Sequence, residues 1–185
     1  MNYTSLQNSI ASWFARTDLP TDTFIDLAET DMNTVLRLTG MEVYVSATPE
    51  DQTPDGVWYL TYPEGFLALK TIHDGNTPLE YVTPQQMREG FDTFYSLSNN
   101  TILLGDADAV DLVYYQRVPA LSATNQTNLF TEIASSALLY LSLGHAASYM
   151  KDSDTYTAIG VQAIERLQRA NDAAYVSGPL VQRGM

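Results

Sequence analysis

The sequence predicts an α+β protein, mainly an α-helical bundle of about four helices with an inserted β-strand-rich region. Three observations carry this. Apolar residues recur at helical spacing near both ends of the chain, over roughly 4–40 and 129–176. Between them the period changes to two, in short runs separated by Gly, Pro, Asn and Asp. The 185 residues, 45% of them hydrophobic, suit one ordinary domain that buries roughly 70% of its unfolded surface. The expected organisation is a helical bundle from 1–40 and 119–177, a β-rich insertion with one short helix at 41–118, and a flexible C-terminal tail at 178–185.

In the first helix, "TSLQNSIASWFAR" places Leu6, Ile10, Trp13 and Phe14 on one face, with Thr4 or Asn2 as its cap. A second helix is expected from Pro20, which the first turn tolerates, to Gly40 as the residue after its end. Phe24, Ile25, Ala28, Met32, Val35 and Leu36 form its stripe. Asp22, Asp26 and Glu29 toward its start and Arg37 near its end follow the helix dipole.

Seven alternating runs then read as strands: "MEVYVSA", "VWYLTYP", "FLALKTI", "LEYVT", "FYSLS", "TILLG" and "DLVYYQRV". Asp74-Gly75 and Asn99-Asn100 offer tight hairpin turns, because these residues accept positive φ. "TPQQMREGF" reads as a short helix, with Thr83 as cap, Pro84 in the first position and Gly90 as the stop. "TPEDQTPDG", residues 48–56, is expected to be an exposed loop. Pro119 lacks an amide donor and stops the last strand. The Ser, Thr and Asn residues after it supply turn and cap oxygens for a helix beginning near Asn128 or Leu129.

That helix is nearly all apolar through Ala146, as expected of one buried on most sides. "KDSD" at 151–154 breaks the chain. A long helix from Thr155 to Val176, roughly 33 Å, sets Tyr156, Ile159, Ala163, Leu167, Ala170 and Ala174 on one face and Glu165, Arg166 and Arg169 opposite. Gly178-Pro179 ends it.

Composition removes several function classes. Without Cys there is no disulfide, thiolate catalysis or Cys-ligated metal, and two His leave little for other metal sites. Nine Lys and Arg against 22 Asp and Glu give a formal charge of −13, with no two basic residues adjacent. Specific DNA readout needs clustered cations, so it is not expected. "MNYTSLQNSI" has neither a basic nor an apolar leader segment, and no stretch is apolar enough to span a bilayer. The expectation is a soluble protein made in the cytosol, with no membrane partner.

Candidate chemistry is sparse. Asp106, Asp108 and Asp111 in "GDADAVD" are the tightest carboxylate cluster, but Val110 and Asp111 stand where a calcium loop needs an oxygen ligand and Gly. A polar turn between strands is the expected reading, with a small carboxylate-dependent hydrolase as its functional rival. His73 flanks a turn, and His145 is expected to be a buried helical residue bonding a neighbour. No nucleophile elbow or phosphate-binding glycine loop occurs. Of twelve Tyr, Tyr44, Tyr59, Tyr62, Tyr81, Tyr95, Tyr114 and Tyr115 fall in strand runs, suiting either a half-wet sheet face or an interface.

Three stretches carry a resemblance: "PTDTFIDLAE" at 20–29, the pattern from Tyr62 to Leu69 continued by Pro78 to Gln86, and "YYQRVPALSATNQTN" at 114–128. Together they make nearly the whole chain similar to the head-to-tail adaptor (head completion, connector) proteins of tailed bacteriophages. The resemblance implies a non-enzymatic virion structural protein without cofactor or metal, located at the head-tail interface. It implies a dodecameric ring of copies beneath the portal protein, extending the DNA channel and giving tail or nozzle proteins a platform. It also implies portal docking through the C-terminal segment, with Tyr175, Val176, Leu180, Val181 and Met185 as anchors. Non-specific DNA would pass through the lumen of a ring whose twelve copies together carry on the order of −156, which discourages adhesion. The alternative is a tail-completion or other phage assembly protein not bound to the portal.

Overall fold

In a computed structural model, which describes residues 1–151 and 155–176, the chain divides into two compact units, 1–40 with 118–185 and 41–117. The described residues form five α-helices, about 39% of them, and nine strands in two sheets, about 24% of them. This corrects the expected mainly helical bundle. The β region is no appendage to helices, because its strands enclose a core of their own.

In the helical unit, Asn2 caps α1 (Tyr3–Trp13) through a capping box: its Oδ1 accepts from the Ser5 amide at 2.8 Å, and Ser5 Oγ accepts from the Asn2 amide at 2.9 Å. Leu6 and Ile10 are fully buried one turn apart, whereas Trp13 is 53% exposed. Ala15 at φ 49° closes the helix, and Arg16 chelates Asp18 with two short bonds.

α2 (Thr21–Val35) buries Phe24, Ile25, Ala28 and Met32, but stops five residues before Gly40. The reason lies downstream. Arg37 Nη1 donates to the carbonyls of Asn33 at 3.0 Å and Leu36 at 2.6 Å, satisfying the helix end. The chain then runs extended so that Leu36 and Leu38 are both buried, while Val35 is left exposed. Gly40 has ordinary φ and sits in a 3-10 turn, Thr39–Met41. A Cβ there would meet Leu129 Cδ1 at 2.8 Å.

The last stretch of helix is divided. Asn128 caps α3 (Leu129–Ile133) with a second capping box, and Ala134 at φ −138° separates it from α4 (Ser135–Tyr149). α4 buries Ala137, Leu138, Leu141, Ser142, Leu143, Gly144, Ala146 and Ala147, as its apolar run requires. α5 (Thr155–Val176) packs on α4. Its Gln168 and Asn171 side chains bond the backbone of Arg37 and Thr39, so the end of α2 is held by side chains from more than 130 residues away.

In the second unit, β1 (Glu42–Ala47), β9 (Val110–Gln116), β4 (Phe66–Asp74) and β5 (Thr77–Pro78) form one sheet in that order. β2 (Asp51–Gln52), β3 (Trp58–Thr61), β8 (Thr101–Leu104), β7 (Phe94–Ser98) and β6 (Glu80–Tyr81) form the other, with only β6–β7 parallel. Leu60, Ile102 and Leu104 from one sheet meet Ile72, Val110, Leu112 and Tyr114 from the other in a single core. Asn99 and Asn100, both at positive φ, make the two-residue turn between β7 and β8. The β4–β5 turn is Gly75-Asn76, one residue later than the Asp74-Gly75 expected, with Asp74 paired to Thr77.

Residues 83–90 form turns, not the expected helix. The Gln86 and Met87 amides donate to Thr83 O and Gln86 Oε1 caps Thr83, but Arg88 then takes the Gln85 and Met87 carbonyls and the turn goes no further. One turn is too short to repay helix nucleation. β9 ends at Gln116, before Pro119 can stop it, and the 48–56 loop contains the short strand β2 and a buried Pro49.

Candidate functional site

The best-built polar arrangement lies where the helical unit receives the chain after Arg117. Glu29 and Asn33, one turn apart on α2, are each 3% exposed, among apolar neighbours on the inward side of the helix. Glu29 accepts from the Leu121 amide at 3.0 Å and from the Asn128 side-chain amide. Asn33 accepts from the Val118 amide at 2.8 Å and donates to Glu29 O at 3.0 Å. Asn128 also donates to Pro119 O at 2.8 Å while capping α3.

The rest of the connection folds on itself. Asn125 Nδ2 donates to Ala120 O at 2.7 Å, the Asn125 amide donates to Ser122 Oγ at 3.0 Å, and the Ser122 amide donates to Asn125 O at 2.9 Å. Gln126 O accepts from the Tyr3 amide at 2.8 Å, and Gln126 Oε1 from Thr4, fixing the start of α1. Every buried backbone group needs a partner, and here short polar side chains supply them where no ladder or helix can. Burial pushes the Glu29 carboxyl up, an effect opposed by the Leu121 amide and Asn128 and reinforced by Asp26. The helix-dipole reading of Glu29 leaves out its structural role; the signal for that role is an acid placed on the apolar stripe, one turn after Ile25 and three residues before Met32.

The expected chemical candidates do not assemble into a catalytic set. The Asp108 amide donates to Asp106 Oδ1 at 3.1 Å, an Asx turn leading into β9. Burial pushes the Asp106 carboxyl up, opposed by the Asp108 amide and reinforced by the nearby Asp108, Asp92 and Asp74 carboxylates. Among the described residues no group of three His, Asp or Glu is arranged to hold a metal ion. Asp111 stands on β9 between Ser46 and His73 on neighbouring strands. His145 on α4 meets Asp31 of α2 with Nε2 and Oδ2 2.9 Å apart; it is half-buried and its partner is exposed. Of the residues expected to anchor the C-terminal segment, Tyr175 and Val176 belong to the last turn of α5, while Leu180, Val181 and Met185 lie outside the described residues.

Two further features belong to the β unit. Lys70 Nζ reaches Glu42 Oε2 at 2.8 Å, with the Glu42 side chain only 4% exposed and its Oε1 without a hydrogen-bond partner. A cavity of about 600 Å³ is lined by Asp55, Val57, Pro84, Met87, Arg88 and Leu103. No helix among the described residues is long and apolar enough to cross a membrane.

No curated protein matches the chain. The residues that join Glu29 to the 118–128 connection all lie within a match to the family described as SU10 adaptor protein, which spans residues 1–183. The chain therefore belongs to the SU10 adaptor protein family, a family of phage head-to-tail adaptors.

Proposed function

We propose that the protein docks as a dodecameric ring beneath the phage portal, extends the DNA channel, and presents a platform to tail or nozzle proteins. The observation that carries this reading is the adaptor-family match over 1–183. Two physical features are compatible with it. The best-organised polar cluster, around Glu29, is committed to holding a loop and offers no reacting group. The charge of −13, with scattered cations, disfavours adhesion of DNA in passage.

Attachment to the portal is assigned to the end of α5 and the segment after it, with Tyr175, Val176, Leu180, Val181 and Met185 as anchors. Apolar side chains there would offset the entropy lost when the segment is ordered on a partner. The role is structural and non-enzymatic, within the virion.

The test is size-exclusion chromatography with light scattering, on the protein alone and mixed with the portal ring of the same phage. A species near 20.5 kDa that comigrates with portal at about twelve copies per ring supports the reading. Absence of portal binding overturns it, and a self-formed ring that ignores portal favours tail completion. Deleting residues 178–185 should abolish attachment while leaving the melting transition in place; retained attachment removes the C-terminal assignment.

A further inference from the structure

The apolar surface of α5 is only partly used within its own helical unit. The expected stripe through Ile159 and Ala163 is not the buried line: Gly160 and Ile164 face inward, and Ile159 remains 38% exposed. Two glycines set this geometry. A Cβ on Gly144 would fall 2.3 Å from Thr157 Oγ1, and one on Gly160 would fall 2.8 Å from Leu141 Cδ2. Such close approach of α5 to α4 leaves apolar side chains uncovered on either flank.

On the flank toward α2 lies a groove of about 330 Å³ over Leu141 and Ile164. Its walls include Val35, 54% exposed, and Val161, 45% exposed, with the Asp31 and Glu165 carboxylates at the rim. On the flank toward α3 lies a second groove of about 320 Å³, lined by Ile133, Ala137, Ala163 and Leu167, with Arg166 at its rim. Ile133 is 49% exposed. At 3.6 residues per turn, Val161 and Glu165 fall on one side of the Gly160–Ile164 line and Ala163 and Arg166 on the other. Asp31 is shared with His145 and Glu165 with Arg169, but Arg166 makes no ion pair among the described residues.

We propose that neighbouring copies of this chain meet flank to flank on α5. The base-rimmed groove of one, with Ile133, Ala163 and Arg166, packs on the acid-rimmed groove of the next, with Asp31, Val35 and Glu165. The occupant is a second copy because one helix carries both halves, on opposite flanks and opposite in charge, with the exposed Val35 and Val161 of one flank and Ile133 of the other as apolar contacts between the charged rims. A cyclic ring requires such a pair of different, complementary patches. The inference rests on the ring reading above and specifies its subunit contact.

The chain has no cysteine, so Val161→Cys with Ala163→Cys provides a clean test. The two sulfurs leave opposite flanks of one helix and cannot bridge within a chain. Oxidising the double variant assembled on the portal ring should give a ladder of covalent oligomers, and either single variant nothing beyond a dimer. Arg166→Glu should raise the protein concentration needed for assembly at least tenfold without moving the melting temperature. Adding Glu165→Lys to it should restore much of the loss. A portal-bound ring that yields no ladder, with Arg166→Glu assembling as wild type, overturns this contact and leaves the ring reading standing. If the wild-type protein forms no ring on portal, the ring reading fails and this contact fails with it.

Discussion

Replacing Glu29 by Ala removes the acceptor on which two donors converge, the buried Leu121 amide and the half-buried Asn128 side chain. Hydrogen bonds to a charged group are worth about 1.5–3 kcal/mol each, so the gross loss is about 3–6 kcal/mol. Part is returned, because a carboxylate 3% exposed and without an ion-pair partner among the described residues no longer has to be desolvated. A net destabilisation of about 3 kcal/mol is expected, or about 6–12 °C in melting temperature for a chain of this size. Glu29→Gln should cost less, since its oxygen can still serve Leu121, although its amide would face the Asn128 amide, whose own oxygen is engaged by Thr131. The pH dependence has a definite sign. With its carboxyl raised by burial, the folded protein binds the Glu29 proton more tightly than the unfolded chain does. The stability margin of wild type over Glu29→Gln is therefore full below the ordinary Glu range, about 4.3, and declines as pH rises through the raised value. Urea and thermal melts across that range measure both effects. A Glu29→Ala variant melting within about 2 °C of wild type at neutral pH would refute the reasoning.

The α4–α5 crossing and the Glu42–Lys70 pair give two further expectations. Gly144→Ala would ordinarily gain about 1 kcal/mol in a helix interior, but its Cβ would stand 2.7 Å from the Thr157 backbone nitrogen. Overpacking should win, with a loss of about 1–3 kcal/mol in urea denaturation; a raised midpoint would show that the helices are not in contact there. Lys70→Met leaves the Glu42 carboxylate, 4% exposed, without its cation and should cost about 3 kcal/mol, with partial recovery when Glu42→Leu is added. An equal loss in the single and double variants would rule out the unpaired charge as the cause.

The portions of the fold legible in sequence are those decided within a few residues. Asn2 and Asn128 cap helices through groups three positions away, and Asn99-Asn100 closes a hairpin because both accept positive φ. All seven alternating runs became strands, for alternation reports a sheet face wherever the chain goes. The stretch that carries the family resemblance, "PALSATNQTN", is likewise a run of local turn and cap residues, whose Asn, Ser and Gln side chains bond the backbone of the same connection.

What only the tertiary structure decided depends on residues distant in sequence. α2 ends at Val35 because Arg37 covers its carbonyls and Gln168 and Asn171 of α5 hold the extended chain that follows. The buried line of α5 is Gly160 and Ile164, not the more apolar stripe beside it, because the tight approach to α4 admits no Cβ at the crossing. The β-rich middle of the chain is two sheets that share one core, an arrangement not legible in the sequence because period-two runs fix which face is apolar but not which strands lie adjacent. Glu29 acquires its role only when residues 118–128 return to α2. An acid is solvated or structural according to the donors brought to it, and those donors lie 92 and 99 residues away.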